Sequence, residues 1–219
     1  MGMMPQELPV NTLATRIRFR SMAISGAAFR RFWTWGTSRA AVWPGTREAD
    51  RFGSFGGGSL LCFPWDTLLN PQAIHLGEGT LIGPHVVLSA GWLPDQIEVD
   101  AHIVTIGDRC LIGRGSSIVG HESITIGDDV WTGHHCHITD MNHGYERADI
   151  PISQQHQAPR PVSIGAGSWL GHGVIVLPGA TIGRGVTVGA GSVVTGVLPD
   201  HCVAVGAPAR VIVQLDEDR

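Results

Sequence analysis

No run of about 18 consecutive apolar residues occurs in this sequence, so no segment reads as a transmembrane helix. Lysine is absent as well: all 15 basic residues are arginine, a matter of residue usage to which no mechanism attaches. The four cysteines, Cys62, Cys110, Cys136 and Cys202, stand too far apart to form a C-x-x-C pair. Neither a zinc ribbon nor a disulfide framework is indicated, and the four read as reduced, mostly buried thiols of a cytosolic protein. Charge is scarce: charged residues make up 16% of the chain and the formal net charge is −4, which gives no sign of a nucleic-acid binder. With 43% apolar residues over 219 positions there is material for one sizeable core and an appended segment, and disorder is not the main state.

Glycine, by contrast, is in excess. The chain has 30 of them, roughly double the usual share of about 7%, and they recur at regular intervals. An aliphatic residue followed by Gly or another small residue returns every six positions: Ile164-Gly165, Leu170-Gly171, Val176, Ile182-Gly183, Val188-Gly189, Val194. Earlier come Ile106-Gly107, Ile112-Gly113 and Ile118, then, after a slip of two residues, Ile126-Gly127, Thr132-Gly133 and Ile138. Before these stand Leu76-Gly77, Ile82-Gly83 and Leu88, with a weaker start near Phe55-Gly56. A period of six is wrong for an amphipathic helix and too sparse for simple strand alternation. It suits a coil of three short faces, in which the anchor points inward, the small residue lets the chain turn, and about three hexads close one rung. Ile106, Ile126, Ile164 and Ile182 should then lie one above another. A Gly-rich β-sandwich is the alternative, but sandwiches hold no six-residue register over such a length.

The register breaks twice, near 93–105 and after His143, and loops of that length are usually functional or disordered. The second break carries Tyr145, Glu146, Arg147 and Arg160 outward and forms a polar arm at one corner. The organisation expected is an N-terminal extension over 1–53, a coil domain over 54–213 with the arm inserted at 144–163, and an acidic tail at 214–219. Within the extension, Leu8 to Arg47 contains no Asp or Glu, but carries Arg16, Arg18, Arg20, Arg30, Arg31, Arg39 and Arg47 among Phe19, Phe29, Phe32, Trp33, Trp35 and Trp43. Such a mixture reads as a cap or oligomer contact, as a peripheral contact with an anionic membrane, or as a cleaved targeting segment.

The segment Ile138-Thr-Asp-Met-Asn-His143-Gly-Tyr-Glu146 places one imidazole where the coil gives way to the arm. An imidazole there suits a general base that removes a hydroxyl proton, with Asp140 or Glu146 orienting its second nitrogen. A structural or solvated loop histidine has the same spacing.

The repeat over about residues 55–213 resembles the hexapeptide-repeat transferases, which implies a left-handed parallel β-helix, a triangular prism of all-β class. The block Thr-Asp-Met-Asn-His-Gly-Tyr-Glu, followed by the arm and Pro-Val-Ser-Ile-Gly-Ala-Gly-Ser-Trp-Leu-Gly, is similar to sugar and polysaccharide O-acetyltransferases related to maltose and galactoside acetyltransferases. In those two enzymes the catalytic His occupies the position of Met141, so the resemblance passes the role to His143. It also places His121 at an acidic acceptor-contacting position, which implies a different acceptor, with Asn142 and Tyr145 beside it. The later hexads and the tail Val205-Gly-Ala-Pro-Ala-Arg210 are similar to the family's CoA-binding run, implying that Trp169, His172, Ala190, Thr195 and Arg210 meet acetyl-CoA or another acyl-CoA. The resemblance further implies a homotrimer with sites between subunits, no metal, and a sugar, polysaccharide-precursor or glycolipid acceptor. The location expected is cytoplasmic, with the inner face of the membrane as the alternative. Two rivals remain: a zinc enzyme like the γ-class carbonic anhydrases, through His102 and His137 with the third ligand falling on Asn142, or a non-catalytic trimeric scaffold. Serine acetyltransferase is disfavoured because its helical N-terminal domain is not seen.

Overall fold

A computed structural model of the chain describes residues 13–94 and 102–215, with side chains of the first helix described from residue 24. Most of the break expected at 93–105, and the acidic tail from residue 216, lie outside the described residues. The chain divides into two compact units, Met1–Arg39 and Ala40–Arg219.

In the first unit, α1 (Leu13–Ala40) runs for 28 residues. The extension was assigned no element from sequence, because arginines interrupt its apolar positions and blur the helical period. Arg39 in the last turn complements the negative end of the helix dipole. Among the described residues, no helix is long and apolar enough to cross a membrane.

The second unit is a stack of short parallel strands visited in strict rotation. Sheet 1 has seven strands and runs from Ser54–Phe55 through Ile74–Leu76, Val104–Ile106, Ile124–Ile126, Val162–Ile164 and Thr181–Ile182 to Val197–Leu198. The eight strands of sheet 2 begin at Leu60–Leu61 and continue through Leu81–Ile82, Leu111–Ile112, Trp131–Thr132, Trp169–Leu170 and Thr187–Val188 to Cys202–Val205, where Arg210–Gln214 folds back antiparallel. Sheet 3 has six strands: Thr67–Leu69, Val87–Ala90, Ser117–Gly120, His137–Thr139, Ile175–Val176 and Val193–Val194. Each sheet takes every third strand, so one turn of chain crosses all three and the next turn stacks on it. No turn buries its own face, and stability comes from the stacking.

The expected column of anchors is present: Ile106 pairs with Ile126, Ile126 with Ile164, and Ile164 with Ile182, all essentially excluded from solvent. Among the described residues no buried side-chain nitrogen or oxygen lacks a hydrogen-bond partner. The glycine after an anchor is needed because the next turn passes so close. A Cβ on Gly113 would stand 2.1 Å from the carbonyl oxygen of Gly133. Gly113→Ala is expected to cost about 1–3 kcal/mol by overpacking, which for a chain of this size lowers the unfolding midpoint by roughly 2–12 °C in calorimetry.

The boundaries differ from those read in the sequence. The second unit starts before residue 54: Val42 and Leu61 exchange backbone hydrogen bonds of 2.9 and 3.1 Å, and Val42, Ala49 and Phe52 join the core. The arm also closes earlier than residue 163, since Val162 and Ser163 already pair with Ile124 and Thr125 of the preceding turn.

Candidate functional site

The strand His137–Thr139 of sheet 3 ends just before Asp140, and here the chain leaves the coil. The Asp140 side chain is fully buried, yet it is charged, so it must be held by donors. Three consecutive backbone N–H groups of the previous turn supply them: His121 donates at 2.9 Å, Glu122 at 2.7 Å and Ser123 at 2.9 Å. His121 Nδ1 stands 3.4 Å from Oδ1. Burial pushes the carboxyl pKa up, but the His121 side chain and the backbone donors of Glu122, His121 and Ser123 prevail and hold it below the ordinary carboxylate range. The Asp140 carbonyl accepts from Arg160 N at 2.7 Å, so both ends of the arm meet at this residue.

This corrects one expectation. The Asp140 carboxylate is committed to the turn at 121–123 and not to His143, because converging donors in a buried site outweigh contact with an exposed ring. His143 lies exposed at the root of the arm, and among the described residues neither it nor Glu146 has a hydrogen-bond partner. Asn142 and Tyr145 are exposed beside it. His121 is sheltered, with its ring 4.5 Å from that of Trp92 between centroids.

The arm folds on itself. Its staple is Gln155, which is buried and was missed in the sequence because nothing in the run Gln-Gln-His-Gln marks one residue as inward. Gln155 Oε1 accepts from Arg147 N at 3.0 Å, and Nε2 donates to the carbonyls of Arg147 at 2.7 Å and Ile150 at 3.2 Å. A cleft of about 310 Å³ results, lined by Gly144, Tyr145, Glu146, Arg147, Gln155 and His156 among others. Gln155→Ala removes hydrogen bonds of about 0.5–1.5 kcal/mol each. Amide hydrogen exchange at residues 144–156 should rise in the variant while that of the coil strands stays at the wild-type level.

The residues expected to meet CoA do not share one corner: His172 and Ala190 lie at one edge of sheet 3, Thr195 at the other, and Trp169 and Arg210 belong to sheet 2. Trp169 lies exposed on sheet 2, level with Trp131, and leads into the corner that carries His172. There the His172 ring meets those of His134 and His135 at 6.2 and 5.5 Å between centroids. Ala190 follows in the next turn, beside Gly191, whose N–H donates to the His172 carbonyl at 2.8 Å. Thr195 sits at the other edge of sheet 3, on the corner that begins the arm two turns earlier. Arg210 starts the antiparallel return strand, with one guanidinium nitrogen on the Ala209 carbonyl at 2.9 Å.

The pair singled out for a zinc reading is otherwise engaged: His137 Nδ1 is 2.6 Å from Ser117 Oγ, and the His102 ring stacks on His75 at 4.1 Å. Burial pushes the His137 pKa down. Among the described residues, no three His, Cys, Asp or Glu side chains converge as a metal ion would require.

Residues 161–196 match the bacterial transferase hexapeptide family (six repeats), and residues 103–131 match the hexapeptide repeat of succinyl-transferase. A protein of Escherichia coli (strain K12), WbbJ, provisionally named an O-acetyl transferase of lipopolysaccharide biosynthesis, is 37% identical over 150 residues, covering 65% of this chain and 72% of that protein. The chain belongs to the hexapeptide-repeat acyltransferase family. A second member, named a probable acetyltransferase, from Mycobacterium tuberculosis (strain ATCC 25618 / H37Rv), is 40% identical over 120 residues, 54% of this chain but only 40% of the length of that relative. Among solved structures, the N-acyltransferase AntD of Bacillus cereus, in complex with dTDP and 3-hydroxybutyryl-CoA, shares the hexapeptide-repeat fold with a TM-score of 0.63 at 22% identity, over 77% of this chain and 86% of that one.

Proposed function

We propose that this chain is a CoA-dependent O-acyltransferase that moves an acetyl or longer acyl group from acyl-CoA to a hydroxyl of a sugar, polysaccharide precursor or glycolipid. The observation that carries the reading is the exposed, uncommitted imidazole of His143 at the arm root, on one edge of sheet 3, with His172 and Ala190 on the other edge. His143 takes the hydroxyl proton as the oxygen attacks the thioester carbonyl. The carbonyl re-forms as the C–S bond breaks, CoA leaves as thiolate, and His143 returns the proton to give the thiol. Glu146, three residues on, is the carboxylate left to orient the second ring nitrogen. When His121 Nδ1 donates to Asp140, Nε2 remains to accept a hydrogen bond from the acceptor, with Asn142 and Tyr145 at the rim.

A sugar-type acceptor is supported by the name of the Escherichia coli relative, and acyl-CoA by the ligand of the Bacillus cereus structure. Trp169, His172, Ala190, Thr195 and Arg210 are the proposed CoA contacts. The coil is taken as left-handed and the assembly as a homotrimer, one subunit giving His143 and the arm and its neighbour much of the CoA groove. Exposed Leu81, Trp131 and Trp169, in one outward column on sheet 2 with Leu111, support a covered face. Sedimentation velocity is expected to show a trimer that Trp131→Arg shifts to smaller species, and an active wild-type monomer contradicts the assembly.

The activity itself is tested by free-thiol release from a series of acyl-CoAs against a panel of sugars, sugar nucleotides and glycolipids. Acceptor-dependent release is expected, and its absence from every pair contradicts the function.

A further inference from the structure

The helix α1 presents a face that the coil domain's chemistry does not use. At 100° per residue, Ile24, Ala28, Phe29, Phe32, Trp33 and Trp35 fall on one half of its circumference. Arg30, Arg31, Thr34, Thr37 and Ser38 fall on the other. Ile24 and the four aromatic side chains are between 52 and 72% exposed. The rings are already ordered in rows: Phe29 stacks with Trp33 at 6.3 Å and Phe32 meets Trp35 at 6.1 Å between centroids. Arg39 lies on the aromatic half, its guanidinium carbon 5.6 Å from the Trp35 ring centre, so the charge is carried along an aromatic face.

A further observation says what covers this face. All 19 acidic residues of the chain lie outside Leu8 to Arg47, which holds seven arginines, so the helix seeks a negatively charged surface rather than a neutral one. Tryptophan is suited to the boundary between headgroups and hydrocarbon, where one side of the ring is apolar and its N–H stays wet. The helix is not apolar enough to cross a bilayer, and a flat orientation satisfies both halves at once.

We propose that α1 lies in the headgroup region of an anionic lipid bilayer, its aromatic half toward the acyl chains, Arg30 and Arg31 among the phosphates, and Arg39 reaching back to them along the Trp35 ring. The occupant is a lipid surface; a second copy of the chain is the competing occupant, and the experiment separates them.

The test is flotation of the full chain, without substrate, with vesicles of phosphatidylcholine alone or mixed with phosphatidylglycerol. Partitioning to the anionic vesicles is expected to be at least about tenfold stronger and to fall at high salt as screening shortens the reach of the charges. Arg30→Glu with Arg31→Glu, and separately Trp33→Ser with Trp35→Ser, are each expected to cut it at least about tenfold, with far-ultraviolet dichroism and thermal unfolding retained. Equal binding to both vesicles, binding to neither, or full binding by folded variants overturns the proposal. So does a change in oligomeric mass of these variants in the absence of lipid, which assigns the face to a second copy. Because no turnover is measured, failure of this proposal leaves the acyl-transfer reading standing, and the converse holds.

Discussion

Replacing His143 by alanine is expected to lower kcat for acyl transfer by about 10²–10⁴-fold, the usual contribution of a positioned general base, while the acyl-CoA KM and the unfolding midpoint stay close to wild type. The chemical loss corresponds to about 2.7–5.5 kcal/mol of barrier. The structural loss is small for a stated reason: the ring is exposed and makes no hydrogen bond within the described residues, and surface substitutions of that kind usually change stability by less than about 0.5 kcal/mol. Single-turnover thiol release, run beside calorimetry, separates the two. Unchanged kcat sinks the assignment of the base. If His143→Ala keeps its rate and His121→Ala loses it, the base is the imidazole beside Asp140, which has the carboxylate partner that His143 lacks.

The reason the sequence pointed Asp140 at His143 is instructive. In a coil whose uninterrupted turns pair Phe55 with Leu76, Ile106 with Ile126 and Ile164 with Ile182, the neighbours of a side chain lie one turn away along the stack, not three residues along the chain. The pairing of Val119 with Thr139 puts Asp140 directly over Gly120, so its carboxylate meets the N–H groups at 121–123. Counting one turn back from Asp140 in the six-residue register would have found them. The column from Ile106 to Ile182 was legible for the complementary reason: an anchor every six residues is a local signal, and stacking merely repeats it. Gln155 and Trp92 lie in segments that break the register, where no period says which side chain turns inward. The helix α1 escaped the reading because its aromatic residues and arginines interleave in the sequence, separate only between residues 24 and 38 once wound at 3.6 residues per turn, and are crossed even then by arginines such as Arg39 on the aromatic half. The division of Thr195 from His172 and Ala190 across sheet 3 is a matter of strand widths, which motif likeness does not report.

Asp140→Asn is expected to be the most destabilising conservative change in the coil domain. Asparagine keeps one acceptor oxygen but turns an NH₂ group toward backbone N–H groups that converge on the site, so at least one buried donor loses its partner and others lose a charged one. Hydrogen bonds to a charged group contribute about 1.5–3 kcal/mol each, and an unsatisfied buried donor costs about 1–3 kcal/mol. A net loss of about 3–5 kcal/mol follows, lowering the unfolding midpoint by roughly 6–20 °C. Its pH dependence distinguishes charge from packing. The folded-state pKa of Asp140 is held below its unfolded value of about 3.9. The stabilisation is therefore fully present above that unfolded value and is lost as pH falls through the lower folded one. Wild type and Asp140→Asn should differ by a constant amount from neutral pH down to about pH 5 and draw together below about pH 4. Because the Asp140 carbonyl also closes the arm on Arg160, hydrogen exchange in the variant should rise first at residues 121–123 and at the arm root. A gap in unfolding midpoint that persists unchanged to pH 2 would mean that shape, not the ionised carboxylate, holds the two turns together.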